Sequence, residues 1–98
     1  MNSGGKKKDG QVSCVAKVLN KRGLHARAAA KFVKTAGAFE ADIDVSRQGH
    51  AVSGHSIMGL MMLAASTGSE IEIACSGKDA KEALQALADL IANKFEED

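Results

Sequence analysis

The sequence predicts an α+β domain, an open-faced two-layer sandwich in which helices cover one face of a β-sheet. Three observations lead there. Strand-like and helix-like hydrophobic periods follow one another in the order β-α-β-β-α-β-α. The second strand alternates apolar residues with acids, so one of its faces must be wet. At 98 residues and 45% hydrophobic composition, the chain can build one core but not two.

The elements follow in order. Residues 1–10 have no apolar periodicity and read as a disordered N-terminal tail, leaving 11–98 as the domain. "VSCVAKVL" is rich in β-branched residues and forms the first strand, ended by the turn chemistry of "NKRG". Over residues 26–36, Ala29, Phe32, Val33 and Ala36 recur at helical spacing and mark a buried face. Arg27, Lys31 and Lys34 fall opposite it, and Gly37 is the stop.

"FEADIDVSR" points Phe39, Ala41, Ile43 and Val45 one way and Glu40, Asp42, Asp44 and Ser46 the other, as a half-buried strand does. "QGH" turns the chain into a short strand at Ala51–Ser53. "SIMGLMMLAAS" forms a second helix beginning at Ser56, and "EIEIACS" a fourth strand with Ile71, Ile73 and Cys75 inward. The last helix is "GKDAKEALQALADLIANKF", with Asp79 and Glu82 spaced as a capping box and Leu84, Leu87 and Ile91 as its core stripe.

Composition narrows the function classes. Net charge is +1, and no apolar run approaches membrane-spanning length. The start lacks the apolar core of a secretion signal, which makes the cytoplasm the expected compartment. Cys14 and Cys75 lie far apart in apolar strands and read as small buried hydrophobes. His50 and His55 do not have a metal-ligand spacing, so neither a metal nor a cofactor is expected. Tyr and Trp are absent, which weakens the rival reading of a small regulatory or nucleic-acid binding αβ module, because RNA-binding sheets need exposed aromatics.

The chemistry concentrates in "RGLHARAAAKFVKTAG". A helix N-terminus offers unpaired N–H groups and partial positive charge, a ready anion site. His25 sits at or beside the N-cap, Gly23 frees the backbone before it, and Arg27 in the first turn can fork hydrogen bonds onto the same anion. These parts suffice to accept a phosphoryl group, hold it and pass it on. Taken alone they also fit a polar cap followed by a solvated arginine. One histidine and one arginine supply no base, carboxylate or metal set for independent turnover.

"GLHARAAAKFV" closely resembles the active-site motif of HPr, the histidine-containing phosphocarrier family of the bacterial phosphoenolpyruvate-dependent phosphotransferase system. "SIMGLMMLAA" resembles that family's second-helix motif at the expected distance downstream, and the likeness runs from about Val12 to Phe95. The resemblance implies a four-stranded antiparallel sheet in the order 1-4-2-3 under three helices. It implies that His25 is phosphorylated at Nδ1 by enzyme I, that Arg27 stabilises the phosphoryl group, and that a IIA-type protein receives it. It matches Ser56 to the serine modified by HPr kinase/phosphorylase. A monomer is expected. With strands one and four adjacent, Cys14 and Cys75 become neighbours, reduced in the cytosol. The family often has proline where Ala28 stands, and this leaves open a nitrogen-related regulatory branch of the family.

The second helix is apolar all round, which a two-layer domain cannot bury. With Leu60 and Leu63 on the core, Ile57, Met58, Met61 and Met62 are left exposed. Methionine suits surfaces that fit several partners, so these residues fit a docking patch beside His25, extended by Lys31; ordinary core with a stray exposed methionine fits them too, and the resemblance favours docking. Ser56 is a good N-cap, and phosphate there would place negative charge in the patch and inhibit phosphotransfer.

Overall fold

A computed structural model describes residues 10–97. The expected disorder of the N-terminal tail therefore lies, except for Gly10, outside the described residues. Four strands, β1 (Val12–Lys17), β2 (Asp42–Arg47), β3 (His50–Ser53) and β4 (Glu70–Ser76), form one sheet in the order β1-β4-β2-β3. Every neighbouring pair is antiparallel. Three α-helices, α1 (Ala26–Ala36), α2 (Ile57–Met62) and α3 (Ala80–Ala92), cover one face, and the chain ends in a short turn at Lys94–Glu96.

Alternation decides which face is covered. Ile43, Val45, Ile71, Ile73 and Cys75 are buried beneath the helices with Phe32, Leu60, Leu87 and Ile91. The opposite face exposes Ser13, Val15 and Lys17 from β1, Asp42 and Asp44 from β2, and Glu70 and Glu72 from β4. It carries no aromatic ring among the described residues: Phe32 and Phe95 are buried, and Phe39 is half-buried.

Several boundaries differ from the sequence reading. β1 stops at Lys17 because Val18 leaves the ladder to pair with the loop before β4, its N–H bonding Ser69 O at 2.8 Å. β2 begins at Asp42 because Ala38 and Phe39 still complete the exit turn of α1 through bonds to Thr35 O and Ala36 O. Gly37 caps α1 in right-handed geometry (φ −68°), so it ends the helix without the left-handed conformation that glycine permits. The β2–β3 turn is tighter than "QGH": Gln48 (φ 51°) and Gly49 (φ 86°) alone make it, both left-handed as a two-residue hairpin needs.

In α3 the capping box does not form. Asp79 makes no side-chain cap bond; its Oδ2 accepts instead from the Glu40 N–H at 2.8 Å, tying the start of α3 to the approach to β2. The core stripe uses Ala80, Ala83, Leu87 and Ile91, with Leu84 only half-buried. The helix also ends at Ala92 rather than running to Phe95. Lys94, Phe95 and Glu96 take φ of 57°, 54° and 63°, a left-handed turn that buries Phe95 and sends the chain back toward α1.

Cys14 and Cys75 are free thiols on the core side of adjacent strands, opposite Ile73 and Val12 respectively. Burial pushes the Cys75 thiol up to about 11, with smaller contributions from Cys14 and Asp44. Burial and Glu72 raise Cys14 as well. Both are therefore protonated and unreactive near neutrality.

Candidate functional site

The loop before α1 is built to aim His25. Gly23 has φ +67°, and a Cβ there would lie 2.6 Å from Ala65 O. Only glycine lets the loop lie so close to the α2–β4 link, where the Leu24 N–H bonds the same carbonyl at 2.9 Å. Asn20, fully buried, donates from Nδ2 to Gly23 O at 2.7 Å and closes the loop from within.

His25 is the N-cap of α1 (φ −81°, ψ 179°), and its Nδ1 accepts from the Arg27 N–H at 3.3 Å. The ring thus sits in front of the first-turn amides, as the sequence predicts. An acceptor carries no proton, so this bond leaves Nδ1 as the ring's lone-pair nitrogen. Arg27 is exposed on the same turn. Ala28 is fully buried against the core.

The other ring nitrogen has a partner that the sequence reading missed. Glu97 Oε2 lies 2.5 Å from His25 Nε2, and Glu97 Oε1 accepts from Asn20 Nδ2 at 3.0 Å. Burial pushes the Glu97 carboxyl up, but the Asn20 and His25 hydrogen bonds outweigh it. Lys31 adds to the effect, as does His25 when its ring is protonated, and the carboxyl is held below the ordinary carboxylate value. Lys31 reaches the same segment, its Nζ donating to Phe95 O at 2.7 Å with Glu96 Oε1 at 3.9 Å. Lys21, Arg22, Arg27, Lys31, Glu96 and Glu97 line an open depression next to the His25–Glu97 pair, four basic side chains with two acids.

α2 lies against α1. Its exit, Ala64–Ser66, lines a second shallow depression with Arg22, Leu24 and His25. Leu60 and Leu63 are buried, while Met58 (71% exposed), Met62 (79%), Ile57 and Met61 face solvent. The exit of α2, which follows this apolar surface in the chain, therefore borders the histidine. Ser56 is the N-cap of α2, accepting from the Gly59 N–H at 2.9 Å, and does not line either depression around His25. Among the described residues no group of His, Cys, Asp or Glu could hold a metal, and no helix is long and apolar enough to cross a membrane. His50 and His55 are exposed, the latter bonding Ala41 O at 3.2 Å.

No local pattern in the sequence points to Glu97. Phe95 continues the apolar spacing of Leu87 and Ile91, which reads as more helix, and nothing in the periodicity announces a left-handed reversal.

Comparison with known proteins agrees with this geometry. Residues 12–93 match the family model described as the PTS HPr component phosphorylation site. The phosphocarrier proteins HPr of Cupriavidus necator and of Neisseria meningitidis serogroup A are each 50% identical to this chain over 80 residues, covering 82% of it and 90% of the relative. Among solved structures, HPr-C-His from Thermoanaerobacter tengcongensis superposes with a TM-score of 0.85 at 42% identity, covering 89% of this chain and 98% of that one. The phosphocarrier protein HPr from Bacillus anthracis does so at 0.80 and 48%, covering 83% and 96%.

Proposed function

The chain belongs to the HPr family of phosphotransferase-system phosphocarriers, and on that premise we propose that His25 is the residue that carries the phosphoryl group. The observation that carries this reading is the placement of its ring: an N-cap imidazole whose lone-pair Nδ1 faces the first-turn amides of α1. A phosphoryl group on Nδ1 sits where helix N–H groups and partial positive charge favour it. Arg27, exposed in the first turn, folds over the same anion and forks onto its oxygens.

Phosphorylated enzyme I is the donor and a IIA-type protein the acceptor. Each docks on Ile57, Met58, Met61 and Met62, with the Lys31 side of α1 facing acidic partner surface. In this reading the chain relays the group from donor to acceptor without turnover of its own. It works in the cytoplasm as a monomer that meets one partner at a time. HPr kinase/phosphorylase acting on Ser56 is the regulatory input: phosphate at that N-cap suits the helix end but sets negative charge at the edge of the docking surface.

The test is charging with phosphoenolpyruvate and catalytic enzyme I, followed by mass mapping. The original chain acquires an acid-labile adduct of one phosphoryl group on His25, and His25→Ala acquires none. An adduct on another side chain, or equal charging of His25→Ala, defeats the reading.

A further inference from the structure

His25 is held at both nitrogens. Nδ1 accepts from the Arg27 N–H at 3.3 Å, so a proton there would point at another donor. The ring proton therefore belongs on Nε2, 2.5 Å from the Glu97 carboxylate. That carboxylate is itself fixed. Asn20, fully buried, gives its two Nδ2 hydrogens to Gly23 O and Glu97 Oε1, while its Oδ1 has no partner among the described residues. Buried Phe95 and the Lys31 bond to its carbonyl anchor the turn from which Glu97 projects. The His25 and Glu97 side chains are only 15% and 17% exposed, although Glu97 also borders the open depression.

We propose that Glu97 is a positioning residue for phosphotransfer: its carboxylate, set by Asn20 and Phe95, fixes His25 as the Nε2–H tautomer and reserves Nδ1 for the phosphoryl group. The inference rests on His25 being the phosphoryl carrier. As Nδ1 attacks, its lone pair forms the new P–N bond, and the bond from phosphorus to the donor breaks with its electron pair staying on the donor. The Nε2 proton does not leave, so the ring becomes a phosphorylated imidazolium. Glu97 faces that new positive charge through a charge-assisted hydrogen bond. When the acceptor takes the phosphoryl group, the P–N pair returns to Nδ1 and the neutral Nε2–H ring is restored. A carboxylate ordering a histidine in this way acts through tautomer and charge, without touching phosphorus.

The test uses the full chain, with nitrogen-15 NMR of the imidazole and steady-state charging by phosphorylated enzyme I. In the original chain Nε2 is protonated and Nδ1 is not. Glu97→Ala moves the ring toward a mixture of tautomers and lowers kcat for charging by about tenfold with little change in KM, since docking lies on α2. Glu97→Gln, whose amide oxygen still accepts from Nε2, restores the tautomer but only part of the rate. An unchanged nitrogen pattern in Glu97→Ala overturns the proposal whatever the rate, and an unchanged kcat overturns it whatever the pattern. Charging of His25→Ala would instead defeat the underlying assignment of His25, which keeps the two failures apart.

Discussion

Gly23 shows how much of the site depends on a residue without a side chain. Its φ of +67° favours glycine, and a Cβ would press on Ala65 O, the carbonyl that also anchors Leu24. Gly23→Ala therefore combines left-handed strain of about 1–2 kcal/mol with a backbone clash. We expect a loss of roughly 2–4 kcal/mol, read as a lower urea midpoint at constant m-value. Because the clash pushes His25 off its cap, charging should fall along with stability. The sequence shows a glycine ending a turn at this position. It does not show the partner, because Ala65 lies on another element and contacts between distant segments leave no local period.

At the scale of elements, α2 carries two functions on one turn and a half of helix. Ser56 caps it, and the methionines it exposes form the apolar surface. The two roles separate by substitution. Ser56→Asp keeps a competent cap but adds charge, so folding stays intact while charging by enzyme I slows severalfold. Ser56→Ala loses the cap, costing about 1 kcal/mol, and charges at the normal rate. Thermal melts beside charging kinetics check both. Normal charging of Ser56→Asp would show that the patch does not extend to the start of α2. Elements with strong internal periods were legible: α1 spans Ala26–Ala36, β4 spans Glu70–Ser76, and Ser56 caps α2, all as predicted. Misreadings arose where tertiary bonds captured a residue first. Asp79 caps Glu40 instead of its own helix, and Val18 pairs with Ser69 instead of extending β1.

At the scale of the whole molecule, the chain's last described turn folds back onto its first loop. The positions of His25 at the cap and Arg27 in the first turn were legible because a helix start is a local pattern, whereas the roles proposed for them came from the family resemblance. Asn20 and Glu97 were not: they are 77 positions apart and meet only because Phe95 is buried between α3 and α1. Three consecutive residues in left-handed geometry cost about 1–2 kcal/mol each, and burial of the Phe95 ring offsets a good part of that. Phe95→Ala should then release Glu97 from His25 and lower stability by about 3 kcal/mol, the low end for such a cavity because a terminal turn can fray. Glu97→Ala should slow charging as well and lower the urea midpoint near neutrality, by less than Phe95→Ala because the ring stays in place. Acid separates the contributions further. The Glu97 carboxyl is held low in the folded chain, so its pairing stabilises above the ordinary carboxylate range and is lost as pH falls through the lowered folded value. The stability gap between the original chain and Phe95→Ala should therefore narrow on acidification without closing, since the cavity left by the ring has no proton to exchange. A gap independent of pH would mean that Glu97 contributes nothing to holding the turn, and that Phe95 alone closes the molecule over its histidine.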